Sequence, residues 1–157
     1  ALPDTPRMGF YADCVGPLLY DPATHTAGVC HAGWRGMAGG ILPRTVETMA
    51  EKLGTRRESL RAVLGPSIRQ ECFETDADVP EAMESQLGAL VRPYILEKGA
   101  KFHVDLQGIG VKLLLDAGLQ PENVIDSGIC TMCHSDEFWS HRKTNGLRGV
   151  QGGMICL

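Results

Sequence analysis

Cys14 and His31 are the two side chains whose types and positions best suit chemistry. Each closes a run that reads as a β-strand, Met8 to Val15 and Thr26 to His31, with a short hairpin-like excursion between them. Strand ends that meet on one sheet edge hold a side chain rigidly while it faces a cleft. A thiolate and an imidazole together suit zinc, and they equally suit a covalent nucleophile with its base. No compact metal motif links them, and a buried strand cysteine beside a hydrogen-bonded structural histidine accounts for the pair as well. In a regular strand Asp13 points away from the Cys14 side, which makes it a turn cap rather than an actor. Arg35 stands beside His31 at a helix entrance, where its planar fork can grip a phosphate or carboxylate, or simply pair with a surface acid.

Cys130 and Cys133 form a CxxC, a spacing that suits half of a structural zinc site or a redox pair. No second CxxC completes it, and His134 and His141 give no familiar finger spacing. Cys72, after Gly65-Pro66-Ser67-Ile68, reads either as a pocket-lining thiol or as a buried one. Gly33-Trp34-Arg35-Gly36 and Gly39-Gly40 are neither GxGxxG nor a P-loop, which argues against dinucleotide and Walker-type binding. Trp34 and Phe138-Trp139 can stack on an aromatic base or pack into a core.

The elements that must position these residues alternate between periods of two and of 3.6. Strands are expected at Met8 to Val15, Leu18 to Tyr20, Thr26 to His31, Arg61 to Leu64, Phe102 to Val104, Val124-Ile125 and Gly153 to Leu157. After the glycine-rich turn, Ile41, Leu42, Val46, Met49, Ala50 and Leu53 recur at helical spacing and Gly54 supplies a stop. A second helix runs from Asp76 or Asp78 to about Leu90, and a third starts at an Asp105 cap and ends at Gly118. The turn at Gly33 to Gly36 aims backbone N–H groups at whatever binds beside it. This interleaving gives an α/β or α+β domain whose crossovers are too irregular for a doubly wound sheet. Ala1 to Phe10 carries two prolines and no period, and reads as an entry segment belonging to something upstream.

A chain of 157 residues with 43% hydrophobic content closes one core, so a single domain over 1–157 is expected. The net charge of -4, without a basic stripe, disfavours nucleic acid as a partner. No apolar run is long enough for a membrane span and no signal core follows Ala1-Leu2-Pro3-Asp4. Six cysteines are few for a disulfide scaffold of this length, so a reducing, cytoplasmic setting is expected. A homo-oligomer is left open, with no motif for it.

Ala12-Asp13-Cys14, His31-Ala32-Gly33-Trp34-Arg35-Gly36, Gly65-Pro66-Ser67-Ile68 with Cys72-Phe73-Glu74, and Cys130-Thr131 with Phe138-Trp139-Ser140 ahead of Arg142 together resemble the multicopper polyphenol oxidase or laccase-domain family, over nearly the whole chain. The resemblance implies an α+β fold of mixed β-sheets flanked by helices, a single compact laccase-domain-family fold. It also implies a zinc-dependent purine nucleoside phosphorylase that takes adenosine, inosine or methylthioadenosine with phosphate and also deaminates adenosine. It makes Cys14 and His31 zinc ligands and puts the third, a histidine, in an upstream N-terminal segment of the same fold, with a partner chain, His25 or His134 as alternative sources of that ligand. Catalysis then falls to Cys14, His31 and Arg35, and substrate or phosphate binding to Gly33, Arg35, Gly36, Cys72, Arg142 and Arg148. The sequence departs from the family where Gly16 precedes Pro17, where Glu71 precedes Cys72, at His141, Arg142 and Lys143, and at Gly110. The alternatives are a degraded or truncated member that only binds, and a cysteine hydrolase using Cys14 and His31. Copper-dependent phenol oxidation is disfavoured, because one Cys/His pair cannot supply several copper centres.

Overall fold

A computed structural model describes residues 5–157, so residues 1–4 of the expected entry segment lie outside the described residues. Along the chain run β1 (Arg7–Tyr11), β2 (Pro17–Asp21), β3 (Thr26–Val29), α1 (Trp34–Ala38), α2 (Ile41–Leu53), β4 (Arg61–Leu64), β5 (Glu74–Thr75), α3 (Asp78–Leu87), a 3-10 helix (Gly88–Tyr94), β6 (Ile95–Lys98), β7 (Lys101–Val104), α4 (Leu106–Asp116), a short 3-10 turn (Pro121–Asn123), β8 (Val124–Asp126) and β9 (Gln151–Ile155).

Sheet formation follows from local alternation. In β4 the residues Ala62 and Leu64 are buried while Arg61 and Val63 face outward, the period of two expected of a strand covered on one side. The central sheet has the order β3-β2-β4-β8, and a two-stranded β1-β9 and a three-stranded β5-β7-β6 sheet flank it. Pairing is antiparallel except between β4 and β8, which run parallel with Ala62 opposite Val124 and Leu64 opposite Asp126. The parallel pair requires a long crossover. Residues 65–123 provide it, carrying α3, the β5-β7-β6 sheet and α4.

Helices α2 and α4 cover one face of the central sheet. Leu42 and Val46 of α2, Ile109 and Leu114 of α4, and Leu19 and Leu64 of the strands are all essentially inaccessible to solvent. Gly110 lets α4 approach closely, since a Cβ there would lie 2.9 Å from Leu64 Cδ2. Asp105 caps α4 by accepting from Gly108 N at 2.9 Å, as its sequence position predicts. The opposite face is bare by comparison at Val63 and Ile125, and Met154, Met8 and Phe10 of the β1–β9 sheet are exposed as well. Leu18, Tyr20, Val63, Ile125, Met154 and Ile155 line an apolar groove of about 550 Å³ there.

Several expectations need correcting. Arg7 to Phe10 is a paired strand rather than an entry segment, because β9 returns to hydrogen-bond it. The strand expected to continue to Val15 breaks after Tyr11, where Asp13 takes a left-handed φ of 76°. The turn at Gly33 to Gly36 is itself the start of the five-residue helix α1. The α+β class with mixed sheets flanked by helices stands, whereas the laccase-domain fold does not: among the described residues no sheet closes into a barrel.

Asp21 anchors the turn between β2 and β3. It is fully buried and accepts from Ala23 N at 2.9 Å, Thr24 Oγ1 at 2.8 Å, Arg56 N at 3.2 Å and Ser59 Oγ at 2.7 Å. Burial alone would raise its pKa, but these four donors outweigh burial and hold the carboxyl below its ordinary range. The unfolded carboxyl therefore takes up its proton first as pH falls, so this stabilisation is complete above roughly pH 4 and is lost on further acidification. Urea unfolding measured from about pH 6 down to pH 2 should show the wild type losing stability in that window and Asp21→Asn, weaker throughout, losing less. Parallel acid limbs in the two proteins would refute it.

Candidate active site

Cys14 and His31 lie at the open end of the β2–β3 hairpin. An isolated antiparallel bridge joins Val15 to Ala32, with Ala32 N donating to Val15 O at 2.9 Å. This bridge brings Gly33 across from Cys14. A Cβ on Gly33 would sit 3.1 Å from Cys14 Sγ and 3.8 Å from His31 Nε2, so both ligand-type atoms flank the space left by the missing side chain. Cys14 is half-buried and His31 is exposed, with the Tyr11 ring 5.3 Å from the imidazole.

Asp13 turned out to matter more than its strand position suggested. It is buried, and its carboxylate accepts from Thr131 Oγ1 and from the Arg142 backbone N–H, each at 2.7 Å. The left-handed backbone that breaks β1 aims this carboxylate into the 130–142 segment. Ala12, Asp13, Cys14, Ile68, Phe73, His141, Arg142 and Arg148 line a pocket of about 250 Å³. That is just under the roughly 300–1,000 Å³ usual for small-molecule sites. Arg142 donates from its guanidinium to Glu74 O at 2.7 Å and sits over the Phe73 ring. Arg148 reaches Gly149 O at 3.1 Å and His141 Nδ1 at 3.5 Å, while its Nε is buried without a hydrogen-bond partner among the described residues.

Burial is the largest influence on the Cys14 thiol and raises its pKa; the Asp13 charge adds to this and Arg148 opposes it. A thiol held up in this way is the reverse of the activated nucleophile a cysteine hydrolase needs. A bound cation would reverse the balance, because a coordinating thiol loses its proton to the metal.

The other candidates are placed as follows. Arg35 is exposed and lies over the ring of its neighbour Trp34, 4.0 Å from the centroid, outside the Cys14 pocket. Gly36 packs its backbone near His31 O and Ile41. His25 occupies the closed end of the hairpin, against Tyr20, and His134 is exposed beyond Cys130. Cys72 lies not in the Cys14 pocket but against the CxxC: the sulfurs of Cys72, Cys130 and Cys133 all fall within 4.8 Å of one another. This cluster can coordinate a metal ion, and it is the one such group of three or more among the described residues. Burial and contacts with Cys133 and Cys130 push the Cys72 thiol up to about 12. Burial also acts to raise Cys130, but backbone N–H groups of Arg69, Cys133 and Met132 outweigh it and lower that thiol. Sequence reasoning missed His141, whose only signal was its place after the Phe138-Trp139-Ser140 string.

A family model described as multi-copper polyphenol oxidoreductase laccase matches residues 1–157. The chain belongs to this family. Among curated relatives it is 34% identical over 147 residues to a purine nucleoside phosphorylase, YlmD, of Bacillus subtilis, covering 94% of this chain and 53% of the relative. It is 35% identical over 133 residues to an adenosine deaminase, RL5, of an unknown prokaryotic organism, covering 84% of this chain and 50% of the relative. The chain thus spans about half the length of these curated relatives. Among solved structures, the hypothetical protein YfiH of Bacillus licheniformis superposes with a TM-score of 0.95 at 30% identity, over 99% of this chain and 59% of that one. The laccase-domain fold expected from the resemblance is therefore replaced by the YfiH-type α+β fold. Family membership carries a relation to purine nucleoside phosphorylases without any demonstration of laccase chemistry.

Gly33 offers a test of the site that leaves the backbone alone. Its φ of -65° is open to any residue, so alanine costs no backbone strain there. If the gap between Cys14 and His31 holds an ion that supports activity, Gly33→Ala should weaken metal uptake and activity together by at least about tenfold, while thermal stability stays within about 1 kcal/mol of wild type. Normal activity in Gly33→Ala would show that the space between Cys14 and His31 is not used.

Proposed function

We propose that this chain is the larger part of the active site of a zinc-dependent purine nucleoside phosphorylase, acting on adenosine, inosine or methylthioadenosine with phosphate and also deaminating adenosine. The observation that carries the reading is the side-chain-free gap at Gly33 flanked by Cys14 Sγ and His31 Nε2, beside a pocket that holds two arginines. The relatives named above support the substrate class. A sulfur and an imidazole nitrogen facing one gap fit zinc by donor type.

Zinc held there by Cys14, His31 and a third histidine would act as a Lewis acid on a water or substrate oxygen. His25 stands against Tyr20 at the closed end of the hairpin and neither it nor His134 lines the Cys14 pocket, so the reading assigns that histidine to an upstream segment of the same fold. The apolar groove on the outer sheet face, the small size of the pocket and the greater length of the relatives all favour such a segment. Arg148, with its unpartnered Nε, and Arg142 provide the positive charge for phosphate, while Gly33 keeps the approach to the pair clear and Gly36, packed near His31 O and Ile41, does not face it. Arg35, stacked on Trp34 outside the lining of this pocket, is the remaining candidate for an anion. His141, beside Arg148, lines the pocket and is placed to pass a proton to a leaving amine or base. The reading places the protein in the cytoplasm, where phosphate and purine nucleosides meet. Among the described residues no helix is long and apolar enough to cross a membrane.

The test is zinc content of the full-length gene product, followed by an assay for purine base released from adenosine and inosine with and without phosphate. Phosphate-dependent release by zinc-loaded protein is expected. Zinc-loaded protein that leaves every nucleoside intact would end this reading in favour of a binding-only domain.

A further inference from the structure

We propose that Cys72, Cys130 and Cys133 form a second metal site, distinct from the Cys14–His31 pair, that takes a thiophilic closed-shell cation such as Zn²⁺ or Cu⁺ and pins the 130–142 segment in place. The three sulfurs lie within 4.8 Å of one another, and Cys72 Sγ is 3.5 Å from Cys133 Sγ. Thiolates sharing one zinc at about 2.3 Å stand roughly 3.8 Å apart, so closing on an ion requires only small side-chain movements. An all-sulfur donor set selects soft ions over Mg²⁺ or Ca²⁺.

The fold builds this convergence. Cys72 follows β4 and Cys130 follows β8, and these strands are parallel neighbours whose trailing loops leave the same end of the sheet. The loops are zipped together at a Ser67–Cys130 bridge, with Ser67 N donating to Ile129 O at 3.2 Å and Thr131 N to Ser67 O at 3.1 Å. Backbone N–H groups of Arg69, Cys133 and Met132 point at the Cys130 sulfur, the kind of outer-shell support that steadies a metal thiolate. Cys133 is exposed, which leaves an ion there an open side toward solvent.

The site's effect reaches the pocket through one residue. Thr131, between the two cysteines of the CxxC, donates to Asp13, and Asp13 in turn holds the backbone of Arg142. An ion on the three sulfurs thus fixes the loop that fixes Asp13, and with it the wall of the Cys14 pocket.

The experiment titrates Co²⁺ alone into the reduced, metal-stripped full chain carrying Cys14→Ser and His31→Ala, so that the other pair contributes nothing. One equivalent should bind with an intense thiolate-to-cobalt charge-transfer band. Adding Cys133→Ser should weaken binding by more than about a hundredfold, and Cys133→His should restore binding with a weaker band. Because Cys133 is exposed, these variants are expected to fold. Absence of a thiolate band in the reduced protein, or a band indifferent to Cys133→Ser, would overturn the proposal. So would air oxidation to a Cys72–Cys133 disulfide in protein that takes up no cobalt when reduced, which would assign a redox pair instead. None of these outcomes depends on the Cys14–His31 reading, whose variants are already in the background.

Discussion

On the proposed zinc-phosphorylase reading, Cys14→Ser and His31→Ala are each expected to lower phosphorolysis by on the order of a thousandfold or more and to abolish zinc binding with it. Serine keeps the shape of cysteine but offers a hydroxyl in place of a soft, readily ionised sulfur, so it is a poor ligand in a half-buried position. Alanine at 31 removes the imidazole that faces the Gly33 gap. Neither side chain is a major packing element: His31 is exposed and Cys14 is half-buried. Stability should therefore change by no more than about 1 kcal/mol, which separates loss of chemistry from loss of fold. Measuring kcat/KM, zinc per chain and thermal midpoint on the same samples checks all three. Undiminished turnover in either variant would sink the assignment.

Asp13→Ala is expected to destabilise the fold by about 4 kcal/mol, the low end of the sum of its lost contacts and backbone cost. The carboxylate accepts two short hydrogen bonds in a buried setting, and hydrogen bonds to charged groups contribute about 1.5–3 kcal/mol each. Alanine also tolerates the left-handed φ of 76° less well than aspartate, at a cost of roughly 1 kcal/mol. In a domain of this size a loss of about 4 kcal/mol lowers the thermal midpoint by roughly 8–16 °C. Asp13→Asn should fall between alanine and wild type, because it retains an acceptor oxygen and suits the left-handed backbone. A midpoint for Asp13→Ala within about 2 °C of wild type would show that the tie from Cys14 to the 130–142 segment is dispensable.

How much of this could be seen in the sequence varied with the kind of signal. Helix α2 was legible because apolar spacing and Gly54 are both local, and α4 because Asp105 and Gly118 bracket its apolar stripe. Strand β6 was not, since Ile95 to Lys98 is largely exposed and takes its form from pairing with β7 rather than from burial. Strand β5 has two residues, too few for any period. The convergence of Cys14 and His31 was legible in part, as strand ends flanking one hairpin. The role of Asp13 was hidden because strand alternation assigns its side chain by assuming extended backbone, and φ is positive there. Nor could spacing reveal that Cys72 joins Cys130 and Cys133, for the contact spans 61 positions and depends on the parallel pairing of β4 with β8.

The pairing of β1 with β9 sets when this protein becomes competent. Arg7 finds its partner in Ile155, and the Cys14 pocket takes one wall from residues 12–14 and another from 141–148. During synthesis Cys14 and His31 leave the ribosome before residues 141–148 and β9 do. Contacts between sequence-distant segments form late and slow the search for the native state. A product halted before position 141 would carry Cys14 and His31 but neither Arg142 nor Arg148, nor the strand β9 that pairs with β1.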